Sequence, residues 1–353
     1  MNNSSKLKND LLLKACRKQP IPRTPVWIMR QAGRYLPEYQ KVRAKADFKT
    51  MCHTAELAAE VTLQPVDILG VDAAIIFSDI LVVPEAMGMD LNFIEGQGPV
   101  FEKPLRDPKD FEKLQPVIVE DKLGFVLEAL RHVRKELVGR VPLIGFAGAP
   151  WTLAAYMVEG HGSKHFSNIK SLMYTYPNLL KSLLEKLSIT VADFLSAQIK
   201  AGAQVVQIFD SLVGILAPED FRSFSLPYLQ RVLQNIKRNG EPVIMFARGA
   251  GHSIEALAEI GAEVLSVSWT EDLGVARKRV RNKVALQGNL DPCALFAPAG
   301  RIREEVLKVL RQAANGSGHI FNLGHGILPQ TPVEHAQAMV DFVKEESPRF
   351  HNI

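Results

Sequence analysis

Arg30 and Arg34 flank Gly33 in a proline-bounded segment and give the sharpest chemical signal in the chain. A guanidinium fork grips a carboxylate through two hydrogen bonds and stays charged at any working pH, so the pair is a candidate fixed anion clamp. Two solvated arginines at helical spacing fit the residues equally well. Asp79 directly follows the apolar run Ile75-Ile-Phe-Ser. A carboxylate against an apolar wall has a strong field and a costly desolvation, and calls for a cation or N–H donors. Local backbone N–H groups could answer that need without any ligand. His325 lies between Gly324 and Gly326, which allow close approach of a ligand and unusual backbone angles. On its own it reads more readily as a satisfied loop histidine. Tyr156 and Ser211 each supply a hydroxyl, for a ligand or for packing.

Such scattered residues need a frame that gathers them. Short apolar runs recur at 26–29, 73–77, 143–146, 204–209, 243–247, 264–268, 284–287 and 319–323. They are rich in Val, Ile and Phe and do not alternate, as expected of parallel strands buried on both faces. Helical patterns follow most of them. Over 177–200, Leu180, Leu184, Leu187, Val191, Leu195 and Ile199 share one face. Further helices are expected at 301–314 and from 331 to 346, where Thr331-Pro332-Val333-Glu334 reads as a capped start. Eightfold strand–helix alternation predicts an α/β fold, a single-domain (β/α)₈ TIM-type barrel over residues 1–353. An open doubly wound sheet is disfavoured, because no G-x-G-x-x-G follows the first strand. Residues 84–116 are expected to make a long excursion, and 159–165 a Gly-flanked loop. In a barrel the strand C-termini surround the site. The strand ends carry Arg30 and Arg34, Ser78 and Asp79, Trp151 leading to Tyr156, Asp210 and Ser211, Arg248, Trp269, Asn289 and Asp291, and finally His325.

Composition narrows the classes. The chain has 353 residues, 47% hydrophobic and 23% charged, as in ordinary globular proteins. The net charge of +4 comes without blocks of like charge, so nucleic acid is not expected. Three widely spaced cysteines suggest neither a disulfide scaffold nor a zinc ribbon, and fit a reducing compartment. The polar start and the short apolar run 11–13 predict no signal peptide or membrane span, hence a cytoplasmic protein. There is no P-loop, H-E-x-x-H or G-x-S-x-G. His161 and His165 are separated by Gly162 and Ser163, a poor metal helix.

Two long segments carry a resemblance. Pro25-Val-Trp-Ile-Met-Arg-Gln-Ala-Gly-Arg34 and Gly145-Phe-Ala-Gly-Ala-Pro-Trp-Thr-Leu-Ala-Ala-Tyr156-Met-Val-Glu-Gly160 are similar to segments of the uroporphyrinogen decarboxylase family. Phe77-Ser-Asp-Ile80, Phe209-Asp-Ser211 and Asn322-Leu-Gly-His-Gly326 follow in the expected order, so the resemblance spans about Leu11 to Pro348. It implies a homodimeric (β/α)₈ barrel without metal or organic cofactor. The implied activity turns the four acetates of uroporphyrinogen III into methyls, giving coproporphyrinogen III. It implies substrate binding by Arg30, Gln31, Ala32, Gly33 and Arg34. Asp79 would face the pyrrole N–H groups, and Asp79 and Arg30 would be the catalytic residues. Tyr156, Ser211 and His325 would complete the contacts, with Ile75 and Phe77 as apolar walls. Leu212-Val213 departs from the family's usual Trp-Ala or His-Ala, and Arg248 stands where lysine is frequent.

Two other functions compete. Cobalamin-linked methyltransferases of the same superfamily bind zinc through an H-x-C pair and a later cysteine. Here His325 precedes Gly326-Ile327, and no cysteine lies beyond Cys293. A non-catalytic tetrapyrrole-binding protein could keep the arginines but would have no need of Asp79.

Overall fold

The computed structural model describes residues 7–94, 96–314 and 316–351. Seven parallel strands form one curled sheet in the order β1 (Ala74–Ile75), β4 (Leu143–Gly148), β5 (Val205–Asp210), β6 (Val243–Ala247), β7 (Val264–Ser266), β8 (Ala285–Gln287) and β9 (His319–Ile320). A separate antiparallel hairpin pairs β2 (Leu91–Ile94) with β3 (Gly98–Phe101).

The expected first strand is reduced to a bridge, yet it closes the circle. Val26 bridges Phe321 in parallel, and the Phe321 N–H donates to the Pro25 carbonyl at 2.8 Å. On the other side the Asp72 N–H donates to the Val26 carbonyl at 2.7 Å. Side chains supply what the ladder lacks. The buried Asp72 carboxylate accepts the Val26 N–H at 2.8 Å and is held by Arg23 at 2.6 and 2.7 Å. The Gln31 amide accepts the Ile28 N–H and donates to the Ala73 carbonyl. The N–H groups of Val26, Trp27 and Ile28 and the carbonyls of Val26 and Ile28 thus find partners without a regular strand. The fold is therefore the expected α/β barrel, with its eighth stave at residues 25–28.

Strands β1, β7, β8 and β9 are shorter than their apolar runs. The regular strands end at Ile75, Ser266 and Ile320, and beyond them single hydrogen bonds and bridges such as Leu290–Leu323 carry the pairing toward the loops that hold the polar residues. Inside the barrel a buried polar chain runs across the centre. Trp27 Nε1 donates to Gln287 Oε1 at 2.9 Å, and Gln287 Nε2 donates to Ser266 Oγ at 3.0 Å and Gln207 Oε1 at 3.3 Å.

The long outer helix Pro177–Ala201 matches its expected face. Its Gln198 amide bonds both the N–H and the carbonyl of Phe146 at 2.8 Å, which explains Gly145: a Cβ there would lie 2.5 Å from Gln198 Oε1. The helix Ala299–Ala313 begins slightly earlier than expected. The cap expected at Thr331 does not form. The last long helix is Val333–Glu346, Pro332 takes the N-cap position, and the buried Thr331 hydroxyl has no partner. Its side chain is turned into the core, where it cannot reach the helix N–H groups. The excursion at 84–116 folds into the hairpin and the short helix Pro108–Glu112. It docks on the Gly-flanked loop through the Phe101 N–H to Gly160 carbonyl bond at 2.7 Å and a Val100–His161 bridge.

Candidate active site

Arg30 sits in a turn closed by the Gln31 N–H donating to the Ile28 carbonyl at 2.9 Å. Its φ is +63°, in the left-handed region that bulky side chains avoid. Such an outlier persists only where its surroundings over-determine it, and here they do. The Met29 N–H donates to Asn322 Oδ1 at 2.9 Å, and the Met29 carbonyl accepts the Ile327 N–H, also at 2.9 Å. Gln31 ties the other flank. The result is an exposed guanidinium on a rigid turn at the barrel mouth.

Gly326 serves this turn, and Gly324 serves the approach of Trp269. Neither has a positive φ, so the expected unusual backbone angles are not why glycine stands there. The close approach is real, but protein atoms make it. A Cβ at Gly326 would lie 2.4 Å from Arg30 Cδ, and one at Gly324 would lie 2.1 Å from the Trp269 nitrogen. His325 is thus carried beside the Arg30 side chain. Its ring meets Trp269 at 6.0 Å and Phe246 at 6.2 Å, both edge-on. Burial, then the positive charges of Arg30 and Arg248, push its pKa down to about 4. It is neutral at pH 7.

Asp79 is half-buried after β1. One oxygen accepts the Leu81 N–H at 2.8 Å, the local backbone partner open to any loop aspartate. Among the described residues it makes no ion pair. Burial raises its pKa, against the Leu81 hydrogen bond and the charge of Arg30. The Ser78 hydroxyl beside it is buried without a partner. Tyr156 projects from the helix Pro150–Glu159, started by Pro150 and ended by left-handed Gly160. Its hydroxyl pKa is raised by burial and then by Asp79, while Arg30 and Arg248 pull it down. Asp79, Tyr156, His325, Arg30 and Arg248 therefore share one electrostatic neighbourhood.

The other expected residues divide. Ile75 is buried in β1, and Phe77 is half-buried against Tyr39 and Phe48. Ser211 follows β5 and is half-buried. Gln31 is fully buried and its amide is spent on the Ile28 and Ala73 backbone, so its side chain is not free for a ligand. Ala32 and Gly33 are half-buried. Arg34 is exposed, and its charge acts on Tyr39 rather than on Asp79, Tyr156 or His325. Asn289 and Asp291 are structural: Asn289 donates to the Ser268 and Glu271 carbonyls, and Asp291 caps Cys293. A groove of about 420 Å³ between Glu38, Lys41, Lys45, Glu60 and Asp67 includes none of the strand-end residues. No group of three His, Cys, Asp or Glu stands together as a metal site among the described residues.

A family model described as uroporphyrinogen decarboxylase (URO-D) matches residues 7–346. The chain belongs to the uroporphyrinogen decarboxylase family. A protein of that name from Chloroherpeton thalassium is 53% identical over 350 residues, covering 98% of this chain and 99% of its own. One from Escherichia coli O157:H7 is 52% identical over 352 residues, at 98% and 99% coverage. Among solved structures, a methyltransferase from Methanosarcina mazei superposes with a TM-score of 0.81 at 22% identity, over 97% of this chain and 99% of that one. At that identity the likeness shows the barrel fold alone.

Some contacts that shape the site could not be read from the residue types. Thr152 donates to the buried Asp210 at 2.6 Å and accepts the Leu212 N–H at 3.1 Å, and Trp151 Nε1 donates to the Leu212 carbonyl at 3.3 Å. Ser225 adds a bond to Asp210 at 2.8 Å. Burial nonetheless pushes Asp210 up to about 6. The Ser211 loop is thereby anchored despite Leu212-Val213. Asn322 Oδ1 accepts both the Met29 and Leu323 N–H groups, 2.9 and 2.8 Å. An amide inside an apolar strand-end run is the only hint the sequence offers of that role.

Proposed function

We propose that this chain decarboxylates the four acetate side chains of uroporphyrinogen III to methyls, releasing coproporphyrinogen III and four CO₂. Asp79 carries the reading: a half-buried carboxylate at the barrel mouth, in the field of Arg30 and itself bearing on Tyr156. Losing CO₂ leaves an electron pair that needs a sink. Protonation of a pyrrole carbon makes an iminium ion, and the breaking C–C bond delivers its pair there. A proton then adds to the exocyclic carbon and the ring proton leaves, so each CO₂ released consumes one proton. An ionised Asp79 beneath the pyrrole N–H groups stabilises the cation as it develops, a preorganised electrostatic effect. Arg30 and Arg34 hold carboxylates. His325, neutral at pH 7, is no standing acid, and an arginine is a reluctant one, which leaves water or a substrate carboxyl as donor.

The same reading makes the protein a single-domain homodimer of the cytoplasm that binds no nucleic acid and uses no metal or organic cofactor. The substrate's own ring supplies the electron sink, and no helix among the described residues is long and apolar enough to cross a membrane. The test is incubation of purified, chelated and dialysed protein with anaerobically reduced uroporphyrinogen III. Products are oxidised and separated by carboxylate number. Accumulation of the tetracarboxylate is expected. Unchanged octacarboxylate refutes the activity, and recovery only with added zinc or pyridoxal phosphate refutes the cofactor-free part.

A further inference from the structure

The barrel places one more arginine where no role has been assigned to it. Counting round the circle from residues 25–28, β1, β4 and β5 come next and β6 is the fifth of eight staves. Arg248 follows β6, so it stands across the mouth from Arg30. Its backbone is fixed: the N–H donates to the Asp210 carbonyl at 3.1 Å, and its carbonyl lies 2.7 Å from where a Cβ of Gly214 would be. Its guanidinium rests 5.5 Å above the Trp269 ring. That indole in turn meets His325 edge-on at 6.0 Å. The side chain is exposed and, among the described residues, pairs with no carboxylate.

We propose that Arg248 grips a carboxylate on the edge of the substrate opposite the one held by Arg30, and so helps select a wide polycarboxylate. The proposal rests on the tetrapyrrole reading above. A wide macrocycle with acidic arms around its whole rim cannot be oriented by cations on one side alone. Stacking on Trp269 holds the guanidinium plane while its donors stay free for a carboxylate. Both Arg30 and Arg248 bear on Tyr156 and His325, as cations converging from two sides would. The Trp269 stack by itself would explain a structural arginine, but not one that leaves its charge unpaired at the mouth.

The experiment compares the wild type with Arg248→Met and Arg248→Lys. With uroporphyrinogen III, Arg248→Met is expected to raise KM about five- to tenfold and change kcat less than about twofold. Arg248→Lys keeps the charge and should stay within about threefold of the wild-type KM. Raising salt from about 0.05 to about 0.5 M should narrow the gap between wild type and Arg248→Met, because an exposed charge is screened. An unchanged KM in Arg248→Met, or a salt-independent gap, overturns the proposal. Fluorescence titration with uroporphyrin, the oxidised octacarboxylate, separates it from the activity. If the wild type proves inactive, the proposed function fails, but weaker uroporphyrin binding by Arg248→Met still supports the grip and equal binding refutes it. Thermal melts check that both variants are folded.

Discussion

Replacing Asp79 with asparagine removes a charge while keeping an oxygen that can still accept the Leu81 N–H at 2.8 Å. The turn after β1 should therefore survive, and the loss should fall on chemistry. Asp79 is half-buried, so an effective dielectric near 20 suits it better than that of water. At about 4 Å from a developing cation, a unit charge is then worth roughly 4 kcal/mol. The nearby Arg30 charge spends part of that field, leaving about 3–4 kcal/mol. At 1.36 kcal/mol per decade this is a fall in kcat of about 10² to 10³. KM should change much less. Stability should move the other way. Burial holds the Asp79 carboxyl above the ordinary range, so its contribution to folding is fully present below the unfolded-state pKa and is lost as pH rises through the raised value. At pH 7 the ionised carboxylate opposes folding, and the asparagine variant should melt at or slightly above the wild type, a difference that closes in acid. Glutamate in the same place keeps the charge and should retain more activity than asparagine. The assay is kcat with reduced uroporphyrinogen III, alongside melting curves for both variants. A fully active asparagine variant, or a glutamate variant worse than asparagine, would refute the role argued for Asp79.

Three further outcomes follow from the same geometry. Asn322→Ala orphans the Met29 and Leu323 N–H groups, at roughly 1–3 kcal/mol each, so denaturant unfolding should show a loss of about 2–6 kcal/mol together with a higher KM from a loosened Arg30 turn. Wild-type stability and kinetics would mean that those N–H groups have other partners. Arg34→Lys should raise KM about threefold, and because Arg34 is exposed the wild-type KM should itself rise with salt; kinetics indifferent to both would make Arg34 a surface charge. The His325 ring, held down to about 4, should show no NMR titration between pH 5 and 8, and a midpoint near 6.5 would contradict its crowded, cationic surroundings.

The apolar runs ending in polar residues determined the barrel, because strands buried on both faces must read as unbroken Val, Ile and Phe whatever surrounds them. The helix 177–201 was legible for the same kind of reason, its face being written in the spacing of its leucines. The order of the strands then placed Arg30, Asp79, Tyr156, Ser211 and His325 at one end, since every parallel strand of such a barrel finishes on the same rim. What each residue does there depended on contacts between segments far apart in the chain. Arg30 and Arg34 look like twins in sequence, yet the left-handed turn at Arg30 sends one to Gly326 and leaves the other near Tyr39. Gln31 stands inside the same motif and proves to be a piece of the barrel wall, because a stave too irregular to pair by backbone borrows a side-chain amide. The glycines around His325 were expected to admit a ligand or a strained backbone, and instead they admit Arg30 and the Trp269 main chain. Thr331 had every local mark of a helix cap, and burial took its side chain elsewhere. Local patterns decide which elements form and which way they point. The identity of a side chain's partner is set by packing between elements hundreds of residues apart, and only the closed barrel brings those elements together.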